Sequence, residues 1–219
     1  MFRTTWIAAP LVLVSGFCAL IYQVVWTREL RLVFGASTAA SSAVIAIFIA
    51  GLGFGGLWFG RRVERSADPL GYYARLEFAI AVLSALTLWL LKAVGALYVL
   101  SGGSLTLGIA GSTLVRVLLA ALVLGPPTWL MGGTLPAIAR AVEDDADVAR
   151  RGVAIVYGVN TLGAVLGCTL STFLLLERLG SRTTLYVASG LNVLIALVAL
   201  GLSRRAVARI APASAESAP

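Results

Sequence analysis

Charge is missing from this chain in blocks long enough to cross a lipid bilayer, and that spacing constrains the fold more than any motif. A helix needs about 20 mostly apolar residues to span the hydrocarbon core. Uncharged intervals run from Thr4 to Thr27 (24 residues), Leu32 to Gly60 (29), Val117 to Ala139 (23), Gly152 to Leu176 (25) and Thr183 to Ser203 (21). A sixth, about Tyr72 to Tyr98, carries Glu77 near one end and Lys92 near the other. Leu100 to Ser112 is also uncharged, but Gly102, Gly103, Gly108 and Gly111 among Ser and Thr predict a loop. Six spans are expected, at about 6–26, 38–60, 72–98, 114–139, 153–176 and 183–203, with 204–219 a disordered tail. Composition agrees: 12% charged residues is half the roughly 25% that a soluble surface uses. The fold class is all-α, a polytopic membrane protein.

Basic residues set the orientation, because cytoplasmic loops carry the excess of Lys and Arg. With both termini cytoplasmic, 11 of the 17 basic residues fall inside, and Arg28, Arg31, Lys92, Arg116, Arg178 and Arg182 fall outside. The chain contains no histidine, which excludes His-ligated metals and haem, the Ser-His-Asp triad and histidine proton relays. Cys18 and Cys168 lie within apolar runs and read as packing residues. No cofactor, metal or nucleic acid is expected, and no catalytic residue is assigned. The partner that the composition implies is the bilayer itself.

The two halves of the chain resemble each other. Leu76 to Leu83 can be laid on Leu191 to Val198 at an offset of 115, which places Glu77 on Asn192. Gly51 and Gly55 lie on Gly163 and Gly167 at 112, and Pro10 on Pro126 at 116. Because three is odd, a second triplet of helices starts from the opposite side of the membrane. The expected architecture is thus a 3+3 inverted repeat, the pattern nested in each half of a major facilitator.

Several groups stand out for chemistry. Glu77 is the one carboxylate well inside a span, a costly position that suits a cationic substrate, a proton, or pairing with Arg75, Arg62 or Arg140. Tyr22, Gln23, Trp26, Tyr157 and Asn160 are further candidates to line a cavity, with interhelical bonds or interfacial anchoring as the alternative. Pro126 and Pro127 remove two N–H donors in mid-span and predict a broken helix, either a kink or a break facing substrate. Gly51-Leu52-Gly53-Phe54-Gly55-Gly56 matches the dinucleotide fingerprint in form only, because it ends an uncharged run. Gly51, Gly55, Gly56, Gly60, Gly163 and Gly167 are instead expected to pack helices closely. The acidic run Glu143-Asp144-Asp145 with Asp147 reads as a loop neutralised by Arg140, Arg150 and Arg151.

Longer elements carry a family resemblance. Gly16 to Arg28, with its Tyr22-Gln23-x-x-Trp26-Thr27-Arg28 core, is similar to the first helix of bacterial fused major-facilitator/spermidine-synthase-like membrane proteins. Leu32 to Ser37, Pro126 to Pro136 and Tyr157-Gly158-Val159-Asn160-Thr161-Leu162-Gly163-Ala164 resemble the same family. The resemblance implies a bacterial inner-membrane protein whose membrane region precedes a soluble aminopropyltransferase-like domain. Only 17 residues follow Leu202, so the expectation is a non-enzymatic membrane module. It would anchor a separate soluble aminopropyltransferase-like partner or move that enzyme's cationic substrate or product. The alternatives are a stand-alone homodimeric solute carrier and a non-catalytic assembly protein.

Overall fold

The computed structural model describes residues 2–34, 38–100, 103–143 and 151–215. All regular structure among them is helical: α1 (Phe2–Phe34), α2 (Thr38–Val63), α3 (Pro69–Leu100), α4 (Gly103–Val142), α5 (Arg151–Leu170), a π-helical turn (Ser171–Leu175) and α6 (Leu176–Ala215). Five stretches are long and apolar enough to cross a membrane: Trp6–Leu32, Ser41–Val63, Pro69–Leu100, Gly111–Val142 and Arg151–Ala206. Their outward faces are greasy: Phe54, Leu57, Leu122 and Phe173 are all about 70% exposed. A surface of that kind is stable against lipid and not against water. The chain is a multi-pass membrane protein.

The last stretch is 56 residues long and would reach about 84 Å as one helix. It is not one helix. Gly180 takes φ 73°, ψ 169°, a conformation that a residue without Cβ adopts freely. Across this point the Thr184 hydroxyl donates to the Leu175 carbonyl at 3.1 Å. Residues nine apart would stand about 13.5 Å apart on a continuous helix, so the chain folds back at Gly180.

Three boundaries differ from the sequence expectation. The loop expected over Leu100 to Ser112 is helical in part, from Gly103, but the chain breaks inside it at Gly108 (φ 64°, ψ 179°), with nearly the backbone angles of Gly180. The break expected at Pro126 and Pro127 is absent, since backbone angles there stay helical. Just past them the Thr128 hydroxyl donates back to the carbonyls of Leu124 (2.8 Å) and Gly125 (3.0 Å) on its own helix, the ordinary way a threonine hydroxyl is satisfied inside a helix. Finally, α6 runs past Leu202 to Ala215 through an Ala- and Arg-rich segment of high helix propensity.

The link between α2 and α3 is built from side-chain caps. Asp68 precedes Pro69 at the first helical position, and its Oδ1 accepts the Gly71 N–H at 2.8 Å, the expected N-cap bond. Its Oδ2 accepts the Ser203 hydroxyl at 2.6 Å, tying α6 to the start of α3. Asp68→Ala should therefore cost about 1–3 kcal/mol, one cap plus one charge-assisted bond. Asp68→Asn should retain most of the cap; thermal unfolding in detergent distinguishes the two.

Packing is tightest where α2 meets α4 and where α1 meets α5. Buried apolar side chains form two layers along the bundle. One contains Cys18, Ile21, Tyr22, Trp26, Ile80, Met131 and Ala188. The other contains Leu11, Val12, Phe59, Tyr73, Leu76, Ala137, Val156 and Ile195. On α1, α3, α4 and α6 a polar residue falls between the two layers, and this sandwiched level is where the site lies.

Candidate functional site

Six helices converge on a cavity of about 100 Å³ between the apolar layers: Ser15 from α1, Leu52 from α2, Glu77 from α3, Thr134 from α4, Asn160 from α5 and Asn192 from α6 all line it. Such a space holds several waters at roughly 10–15 Å³ each. Ser15, Leu52, Glu77, Thr134 and Asn160 lie eight to eleven residues from one end of their apolar stretches. At 1.5 Å per residue that is about 12–17 Å in from that end.

Glu77 is fully buried. Its Oε1 accepts the Ser15 hydroxyl at 2.5 Å, while Oε2 has no hydrogen-bond partner. Asn192, 2% exposed, likewise has an unpartnered Oδ1. The Thr134 hydroxyl is satisfied by the Met131 carbonyl at 2.8 Å. Two buried acceptors in one cavity call for a donor, because an unmet polar group in such a place costs about 1–3 kcal/mol. A cationic donor fits best, since a carboxylate is one of the two.

The expected arginine partners are all engaged elsewhere. Arg75 donates to the Gly71 carbonyl (3.1 Å). Arg62 lies on the Trp58 ring, 3.9 Å from its centroid, and Arg140 pairs with Glu143 at 2.9 Å. Glu77 sits about two turns into α3, below the reach of these interfacial heads, which stay at the wetter end of the bundle. The pairing reading of Glu77 is corrected accordingly. Of the acidic run, Asp144, Asp145 and Asp147 lie outside the described residues, as does Arg150.

The other sequence candidates divide. Asn160 reaches the cavity. Tyr22 and Trp26 are fully buried one to three turns away, stacked at 5.6 Å. Tyr22 donates to Ser189 (3.3 Å) and Trp26 to Thr87 (2.9 Å), so their polar atoms bond across helices rather than into the cavity. Tyr157 is 49% exposed, and Gln23 is half-buried outside the lining. A Cβ added at Gly51 would strike the Thr128 side chain, and one at Gly55 the Trp129 carbonyl. At Gly163 and Gly167 it would strike the carbonyls of Leu13 and Phe17. Gly56 is looser, 3.5 Å from the Gly132 carbonyl, and Gly60 faces open space, so it packs against no neighbour. Cys18 is buried, Cys168 exposed, and both are free thiols.

Sequence reasoning did not single out Ser15, Thr134 or Asn192 as site residues, although the repeat register placed Asn192 on Glu77. No known protein family, curated protein or solved structure gives a match to this chain.

Proposed function

We propose that this is a six-span membrane module whose central cavity binds and passes a small organic cation of the protonated-amine type. The observation that carries the reading is the pair of unpartnered acceptors, Glu77 Oε2 and Asn192 Oδ1, facing one cavity enclosed by apolar helices. An intramembrane acid of this kind marks a substrate or proton path more often than a structural bond. The resemblance to fused major-facilitator/spermidine-synthase-like membrane regions points the same way. A polyamine is the cationic substrate or product of an aminopropyltransferase-like partner in the bacterial inner membrane. The cavity favours passage of the amine over a purely anchoring role.

A 3+3 inverted repeat with six crossings is part of this proposal. The fold-back at Gly180 turns the 56-residue stretch into two crossings. Close approaches then come in related pairs. Gly16 meets the Asn160 carbonyl as Gly132 meets that of Leu52, and Gly163 meets that of Leu13 as Gly55 meets that of Trp129. These pairs are related by 116 residues from α1 to α4 and 108 from α2 to α5. The second offset is one helical turn from the 112 read in the sequence, a slip that glycines four apart permit. Asn192 then stands to α6 as Glu77 stands to α3, and a site on a repeat axis at the midplane is the arrangement of secondary transporters.

Purified protein in proteoliposomes should take up radiolabelled putrescine or spermidine saturably above protein-free vesicles. Glu77→Gln should lower that uptake at least tenfold. Absence of uptake, together with no thermal shift by either amine, would overturn the proposal; uptake unchanged in Glu77→Gln would remove the carboxylate from it.

A further inference from the structure

A second cavity, about 130 Å³, lies far along the bundle from the first, between the C-terminal part of α1, the second half of α3 and the segment of α6 just past Gly180; Glu29, Trp89, Lys92, Arg182 and Tyr186 line it. Its floor is a fixed aromatic pair, the Trp89 Nε1–H donating to the Tyr186 hydroxyl at 3.0 Å. Both cations are drawn to that floor. Lys92 Nζ is 5.7 Å and Arg182 Cζ 5.4 Å from the Trp89 ring centroid, and Arg182 is 5.8 Å from that of Tyr186.

Both cations are exposed, and neither makes an ion pair. Among the described residues the ion pair is Arg140 with Glu143, and Glu29, although it lines the same cavity, bonds to neither Lys92 nor Arg182. Lys92 and Arg182 outnumber Glu29 in the lining, so the recess carries a net positive charge. Cation–π attraction, about 0.5–1 kcal/mol at exposed sites, holds them there but leaves their N–H donors unspent. The setting also has a known chemistry. Trp and Tyr concentrate at the headgroup level of a bilayer, and Arg182 emerges at the fold-back that ends one crossing. A guanidinium presents a planar fork to oxyanions, and an ammonium adds a point charge beside it.

We propose that Lys92 and Arg182 form a phosphate-binding clamp on the Trp89–Tyr186 platform, at the membrane interface remote from the central cavity. The ligand chemistry is a phosphate oxyanion, delivered either by an anionic phospholipid headgroup or by free phosphate. Glu29 on the rim limits the clamp to a ligand of low charge and gives a headgroup hydroxyl or ammonium an acceptor.

Thermal unfolding of the detergent-solubilised protein distinguishes the sources. Three additions are compared: phosphatidylglycerol, inorganic phosphate, and diacylglycerol as a phosphate-free lipid. A lipid clamp gives a saturable rise in Tm with phosphatidylglycerol alone; a clamp for free phosphate gives it with inorganic phosphate as well. In K92Q/R182Q the half-saturating concentration should rise at least tenfold, with Arg182→Lys intermediate. Should the double variant fail to fold, Arg182→Gln alone carries the comparison, because Lys92 then keeps the recess cationic. An equal rise with diacylglycerol, no rise with either phosphate form, or a response unchanged in the variants would overturn the clamp. Amine uptake through the Glu77 cavity should survive Arg182→Gln, so failure here is separable from failure there.

Discussion

Gly163→Leu and Gly55→Leu should each unseat a helix pair, lowering stability by about 3 kcal/mol or more, at or beyond the upper end of ordinary overpacking. The reason is geometric. At Gly163 the missing side chain is replaced by the Leu13 carbonyl, and at Gly55 by that of Trp129. These are backbone atoms, so relief requires α5 to move off α1, or α2 off α4, and those are the most extensive packed pairs. Lipid gives no hydrophobic drive to press helices together, and close approach at small residues supplies much of the attraction. Losing it therefore costs more than the added volume suggests. At Gly53, Gly60, Gly158 and Gly190 an added Cβ would have nothing within 4 Å, so Gly→Leu there should change Tm little. Thermal unfolding in a mild detergent, scored on monodisperse protein, reads all six. Equal Tm for Gly163→Leu and Gly190→Leu would show that carbonyl contact does not hold α1 to α5.

That contrast also locates how far the sequence could be read. That the chain is helical and crosses a membrane several times was legible because a bilayer excludes charge, so Arg and Lys flank the apolar stretches however the helices are rotated. The misread prolines have a physical cause: a signal calibrated on water-exposed chains. Pro126-Pro127 would end a helix in a soluble chain, but here the backbone angles stay helical through them, whereas the glycines before Ser112 do break the chain, at Gly108. Gly60 shows a related limit. Its spacing from Gly56 suits a packing pair, yet only the rotation of α2 decides which glycines face α4, and spacing does not contain that rotation. Within the site Glu77 was visible, since one carboxylate in an apolar run is conspicuous. Ser15 and Thr134 were not, because hydroxyls in membrane helices mostly bond their own backbone, as Thr134 does. Asn192 was half visible: the repeat register laid it on Glu77, but only the convergence of α3 and α6 puts both in one cavity.

Glu77→Leu should make the protein more stable while abolishing amine binding, and this opposition is the sharpest test of what the carboxylate is for. A structural acid is held by partners that its loss would orphan. Here the short hydrogen bond comes from Ser15, whose hydroxyl can turn to a carbonyl of its own helix when the acid is gone, and the Tyr73 hydroxyl beside the carboxyl keeps the Leu11 carbonyl as an acceptor at 3.3 Å. Oε2 has no partner to lose, and leucine is of similar volume and meets Leu52, Ile80 and Leu135 in the same cavity. Replacing buried ionisable groups by apolar residues of like size is often stabilising by about 1–4 kcal/mol; with one bond forfeited, a gain of about 1–3 kcal/mol is expected. Glu77→Gln should stay near wild-type stability, because its amide oxygen can still accept from Ser15, yet it lacks the charge for an ammonium. Thermal unfolding with and without putrescine measures both quantities on the same samples. The expected order of Tm without ligand is Leu above Gln and wild type, with a ligand-induced rise in wild type alone. A drop of several kcal/mol in Glu77→Leu would instead make the acid part of the bundle's framework. Stability withheld at one buried residue, in a cavity lined from all six helices, is what a binding function leaves in a fold that packing alone would have filled with leucine.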